Sequence, residues 1–250
     1  MRLPEKLKFV QSVQNPTSED ISFFISVLSD PDENELLQTA VLMALKRCGD
    51  AAVPSLISFL SLFYSEKSQN PESLVRISYA LSQIPKTPPS VLIEFLSSNH
   101  PRVRQNGVIG LSLQNDGEFD LLLFSVLQND PDPTTAYDAA EALGNGGDRT
   151  LYLFKTVILR DLKQNPYINS EKKLEAIHKI QCKDVFSEKP EESLPAYSGR
   201  LTDDHVLWKI LEILGNTQNP ELLPYFEPYL FHENPRIKNS VEMLIQNFEK

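Results

Sequence analysis

The chain of 250 residues carries 34 Asp and Glu against 24 Lys and Arg, a formal charge of −10, and pairs 18 Pro with only 9 Gly. So little glycine weighs against phosphate-cradling loops and tight hairpins, which need residues tolerant of positive φ. Abundant proline points instead to helices that are repeatedly stopped and restarted, and the acidic balance weighs against nucleic acid, whose binding is dominated by phosphate neutralisation.

At the N-terminus, Met1 to Lys8 has charges with no apolar run behind them, so no secretory signal is expected. The most apolar stretches, Ile21 to Leu28 and Val53 to Tyr64, are too short to span a bilayer. Cys48 and Cys182 lie far apart and form neither a CxxC pair nor a disulfide framework. The chain is therefore expected to be cytoplasmic, with no membrane partner.

The first element is a helix over Pro4 to Gln14, expected to cap the remainder of the chain, so that residues 1–16 form an N-terminal capping segment. From 17 to 250 one pattern recurs as a single array. Aligned on one apolar anchor, the units fall at Leu45, Leu81, Leu111, Leu143, Ile180, Leu214 and Ile245, with spacings of 36, 30, 32, 37, 34 and 31 residues. A drifting period in the low thirties indicates helical hairpins. Each unit opens with a first helix carrying an apolar stripe, as in Leu56, Ile57, Phe59 and Leu60, or Val91, Leu92, Phe95 and Leu96. A turn built on proline comes next: Asp30-Pro31-Asp32, Asn70-Pro71, His100-Pro101, Asp130-Pro131-Asp132-Pro133, Asn165-Pro166 and Asn234-Pro235. Asp and Asn cap helix starts, and proline fits a first turn but not a helix interior. The second helix then runs to the anchor, with buried positions expected eight, four and one residues before it. Small residues at such positions, among them Ala44, Ala80, Gly107, Gly110 and Ala139, let neighbouring helices approach closely.

Pro101-Arg102-Val103-Arg104, Pro235-Arg236-Ile237-Lys238, Ala139-Ala140-Glu141-Ala142-Leu143-Gly144 and Gly147-Asp148 together resemble the HEAT repeat, in particular the HEAT-like form seen in phycobilisome lyase-type repeats. The resemblance covers roughly residues 17 to 250. It implies an all-α fold, a right-handed α–α superhelix or armadillo-type solenoid of about seven helical hairpins. In that family, acidic and basic positions form polar ladders along the stack. Here Asp50, Asp116 and Asp148 fall five residues after their anchors, and Arg104, Lys173 and Lys238 seven before theirs, so the ladder is incomplete. The unit at 165 to 202 is degenerate: its first helix is shortened or missing, and a loop is expected over 183–201.

Catalytic signatures are absent. There is no HExxH, and one His-Glu pair, His232-Glu233, cannot make the iron site of HEAT-like hydroxylases. No G-x-S-x-G occurs, Gly144 to Gly147 reads as a helix C-cap, and Cys182 beside Lys183 reads as a plain thiol at a helix end. HEAT-like DNA glycosylases work through a basic groove, against the charge here. No catalytic residue, metal ligand or cofactor is assigned.

The candidate surface comes from helical phase. Positions six and two before each anchor are i,i+4 pairs away from the core stripe. In HEAT-like solenoids the second helices line the concave face, so these pairs should form a ridge along it. The ridge residues singled out are Met43, Val75, Tyr79, Ile109, Tyr137, Glu141, Trp208, Glu212 and Met243, and aromatic and Met side chains there are typical interface anchors. Trp208, the single tryptophan, either contacts a partner or covers the gap left by the missing first helix. The expected function is a non-catalytic scaffold or adaptor that binds a protein segment, with the net charge steering a basic partner. The alternatives are a HEAT-like subunit of a bilin lyase-type enzyme and a structural subunit of a larger complex.

Overall fold

The computed structural model describes residues 1–14, 16–65, 70–114, 117–144, 147–165, 168, 170–182 and 203–248; at 64–65, 147–149, 170 and 180–182 it describes the backbone alone. The loop expected over 183–201 therefore lies outside the described residues, as does the side chain of Cys182. Every regular element among the described residues is helical. The chain divides into two compact units, Met1–Asn115 and Asp116–Lys250.

The first unit contains α1 (Leu3–Ser12), α2 (Ser18–Ser29), α3 (Glu35–Cys48), α4 (Val53–Ser65), α5 (Pro71–Ser82), α6 (Pro89–Leu96) and α7 (Pro101–Ser112). Helix starts obey the local chemistry of the sequence. Asn70 accepts the Glu72 N–H and Pro71 occupies the first turn of α5, where its missing N–H costs nothing. Pro101 does the same for α7. For α3 the cap is Asn34, three residues beyond Pro31. Gly49 ends α3 at φ +55°, a conformation that favours glycine over any residue with a Cβ.

Helix α1 packs on α3. Phe9 meets Phe23 edge-on at 5.6 Å, Lys6 pairs with Glu33, and Arg47 donates to the Val10 carbonyl. The second helices α3, α5 and α7 lie side by side, with α2, α4 and α6 packed against them. Leu45, Leu81 and Leu111, the predicted anchors, are fully buried, as are Phe24, Leu37, Leu56, Ile77, Leu92 and Val103. Burying such a side chain is worth about 1.5–3 kcal/mol, so the anchors hold the pairs together.

The residue seven before the anchor reaches back to the preceding turn. Gln38 Nε2 donates to the Asp30 carbonyl and an Arg104 guanidinium N–H to the Ser98 carbonyl, satisfying chain ends at the preceding turn. At the other ladder position, Asp50 pairs at 2.6 Å with Lys86, which stands five residues after its own anchor.

The second unit contains α8 (Asp120–Asn129), α9 (Pro133–Leu143), α10 (Gly147–Gln164), α11 (Ser170–Cys182), α12 (Asp204–Asn216), α13 (Leu223–Phe226) and α14 (Pro235–Phe248). Asp132 caps α9, with Pro133 in its first turn, and Gly144 is the C-cap. Helix α8 packs on α9, and Leu143 and Leu214 are fully buried anchors; Ile245, near the end of the last helix, is half-buried. The region before α14 is broken into a 3₁₀ turn over Pro220–Leu222, the single turn α13, and a second 3₁₀ turn over Glu227–Phe231. Pro220, Pro224 and Pro228 recur every fourth residue. Each removes an N–H and crowds the carbonyl four residues back, so no continuous α-helix can form.

The sequence places α11 in the row of second helices between α9 and α12. The structure instead packs α12 along α9, and α14 along α12. Helix α11 lies against α10, α13 and the turn over Glu227–Phe231, while α10 also contacts α12. The main contacts of α11 therefore lie outside the row formed by α9, α12 and α14.

Candidate functional site

A repeated contact defines the seam between neighbouring second helices: the residue five before one anchor meets the residue six before the previous anchor. Asn106 Nδ2 of α7 donates to the Val75 carbonyl of α5 at 3.1 Å and to Ser78 Oγ at 2.8 Å. Lys209 Nζ of α12 stands 5.3 Å from the Tyr137 ring centre of α9. Ser240 Oγ of α14 accepts the Trp208 indole N–H of α12 at 3.0 Å.

This seam revises the expected ridge. The position six before the anchor is partly covered by the next helix, and Val75 is only 7% exposed, so it is a packing residue and not a surface one. Tyr137 and Trp208 are half-buried for the same reason. The position two before the anchor is the more open of the two. Met43 is 55% exposed, Tyr79 39% and Met243 60%; Glu141 is also exposed, and Ile109 and Glu212 are intermediate.

In the second unit three of the ridge residues gather around one cation. Lys209, 14% exposed at its side chain, approaches Glu141 at 3.6 Å and Glu212 at 3.2 Å, with the Tyr137 ring beside it. Burial pulls the ammonium pKa down, but the Glu212 hydrogen bond and the charges of Glu141 and Glu212 outweigh it, holding Lys209 above the ordinary lysine value. Reasoning from helical phase alone misses Lys209. Its signals in the sequence are its place five before the anchor, shared with Asn106 and Ser240, and its i,i+3 spacing to Glu212.

Beside this cluster, a half-open groove of about 600 Å³ runs between α12 and α14. Trp208 forms one wall, and Asp204, His205, Arg236, Asn239 and Ser240 contribute to the rest. Asn234 ties the two helix starts together, its Nδ2 donating to Asp204 Oδ2 at 2.6 Å while its Oδ1 accepts the Arg236 N–H. The groove is large enough for several side chains.

Among the described residues, no group of three or more His, Cys, Asp and Glu side chains is placed to hold a metal ion, and no helix is long and apolar enough to cross a membrane. His232 Nδ1 accepts the Asn234 N–H within its turn. Cys48 is half-buried, and burial raises its thiol pKa, away from nucleophilic use.

No known family pattern and no curated protein matches the chain. A crystal structure described as an engineered protein is similar at 16% identity over 92% of this chain and 68% of its own, with a TM-score of 0.35. That superposition assigns neither a family nor a function.

Proposed function

We propose that this chain is a non-catalytic helical-repeat scaffold of HEAT-like kind, which binds a protein segment along the second helices α9, α12 and α14. The carrying observation is that Tyr137, Glu141 and Glu212 converge on Lys209 next to the groove walled by Trp208. Half-buried aromatic side chains with charged neighbours supply large contact area and orientation, the features of interface anchors. The regular seam between second helices supports the repeat reading, because the same two register positions meet in both units. In a HEAT-like superhelix this row lines the concave face, where each unit adds contact area without a closed pocket.

The test is affinity capture with the intact chain and with Tyr137→Ala and Trp208→Ala, followed by mass spectrometry. Recovery of a stoichiometric partner should fall at least about tenfold, as expected for anchors worth more than about 1.4 kcal/mol each. Unchanged recovery by variants with native helical content would overturn the reading.

A further inference from the structure

The groove between α12 and α14 departs from a charge arrangement that the first unit completes. Arg102 stands nine residues before its anchor, in the first turn of α7, and pairs at 3.7 Å with Glu72, nine before its own anchor in α5. Arg236 holds the same position in α14. In the neighbouring α12, however, the position of Glu72 is occupied by His205. Arg236 therefore has no side-chain ion pair or hydrogen bond among the described residues, and it lines the groove together with that histidine. No carboxylate among the described residues lies within ion-pair distance of it. The first turn of α14 contains no acidic residue, and a cation there faces the positive end of the helix dipole. Asp204, the one carboxylate among the described lining residues, keeps its charge but takes its hydrogen bond from Asn234, at 2.6 Å, and not from Arg236.

A carboxylate entering from outside would meet a guanidinium, a helix start and an imidazole at the register where the first unit uses Glu72. Beside it lies the Trp208 ring, whose N–H is already satisfied by Ser240, leaving an apolar face. The Asn239 amide, with no partner among the described residues, can both donate to and accept from a peptide backbone. We infer that this groove takes an acidic peptide segment: a Glu or Asp side chain pairs with Arg236, and an adjacent apolar residue lies on Trp208. This rests on the protein-segment reading above and specifies its chemistry, with a local preference opposite to the one the net charge of −10 suggests.

Trp208 is the single tryptophan, so its emission reports directly on the groove. The full chain is titrated with the capped peptide Leu-Glu-Leu-Glu-Leu, its lysine counterpart Leu-Lys-Leu-Lys-Leu, and succinate. The glutamate peptide should shift Trp208 emission saturably, with the lysine peptide and succinate at least about tenfold weaker. Arg236→Glu should remove the response. His205→Glu, which supplies the carboxylate found at Glu72, should weaken it by about tenfold or more by pairing with Arg236 internally. Both positions are exposed, and far-UV circular dichroism verifies folding.

Equal or tighter binding of the lysine peptide, or an affinity unchanged in both variants, overturns the inference. So does saturation by succinate at the peptide's concentration, which marks a small-dicarboxylate site instead. If neither peptide binds while Tyr137→Ala and Trp208→Ala still abolish partner capture, the acidic occupant is wrong and the scaffold reading stands. If the glutamate peptide binds as described while those substitutions leave capture unchanged, the groove stands and the scaffold reading fails.

Discussion

Gly107 sits four residues before its anchor, where α7 meets α6, and its replacement by alanine sets two effects of opposite sign against each other. In an exposed helix the change stabilises by about 1 kcal/mol, because alanine loses less conformational freedom. Here the added Cβ would lie 2.8 Å from the Leu92 carbonyl oxygen and 3.1 Å from Phe95 Cβ. Carbon–oxygen contacts are normally about 3.3–3.6 Å, so the overlap is at least about half an ångström, against backbone that no rotamer change can move. Leu92 and Phe95 are fully buried, which leaves α6 no free space to shift into. Overpacking of this kind costs about 1–3 kcal/mol; set against the propensity gain of about 1 kcal/mol, the net loss is about 0–2 kcal/mol, and the backbone contact puts it in the upper half of that range. Urea unfolding monitored by circular dichroism should show a midpoint lower by several tenths of a molar, and hydrogen exchange should quicken in α6 and α7. A rise in stability by about 1 kcal/mol, with α6 exchange unaltered, would refute the close approach.

Asn106→Ala removes the amide that ties α7 to the Val75 carbonyl and Ser78 hydroxyl; with both acceptors buried, a loss of about 1–3 kcal/mol is expected in the same urea assay. Tyr229 is fully buried, and burial, with the adjacent Asp161 charge second, pushes its phenol pKa well above 10.0. A raised folded-state pKa means that its stabilisation is complete below the unfolded value near 10 and is lost as pH rises beyond it. Tyrosinate absorbance during an alkaline titration should therefore show Tyr229 ionising only on unfolding. Tyr229→Phe should flatten the alkaline loss of stability while costing about 1–3 kcal/mol at neutral pH, because Asp161 Oδ2 loses its 2.8 Å donor. Lys209→Met should cost no more than about 1 kcal/mol, since Glu141 is well exposed, and the cost should shrink as salt is added; a salt-independent loss of several kcal/mol would show that the cluster is not governed by its charges.

The features legible in the sequence are local ones. Asn70-Pro71, His100-Pro101 and Asp132-Pro133 start helices because a side-chain oxygen or a fixed φ acts within a few residues, as the cap at Asn70 and the cap at Asp132 show. The anchors Leu45, Leu81, Leu111, Leu143 and Leu214 are readable from helical phase, because burial of one face imposes that phase on the chain. The exposure of Met43, Tyr79 and Met243 comes from the same phase. Which helix lies beside which is settled by tertiary packing. Helix α11 has the spacing of a second helix, yet α12 takes the place next to α9, a choice made between segments some 70 residues apart by packing that no local pattern encodes. Val75 is buried, and Lys209 meets Tyr137 and Glu141, because side chains from the next helix cross the seam. The groove at Trp208 exists because α12 and α14 are neighbours, and among the described residues Arg236 lacks the ion pair that Arg102 makes because that pairing sets His205, in place of a carboxylate, at the matching register.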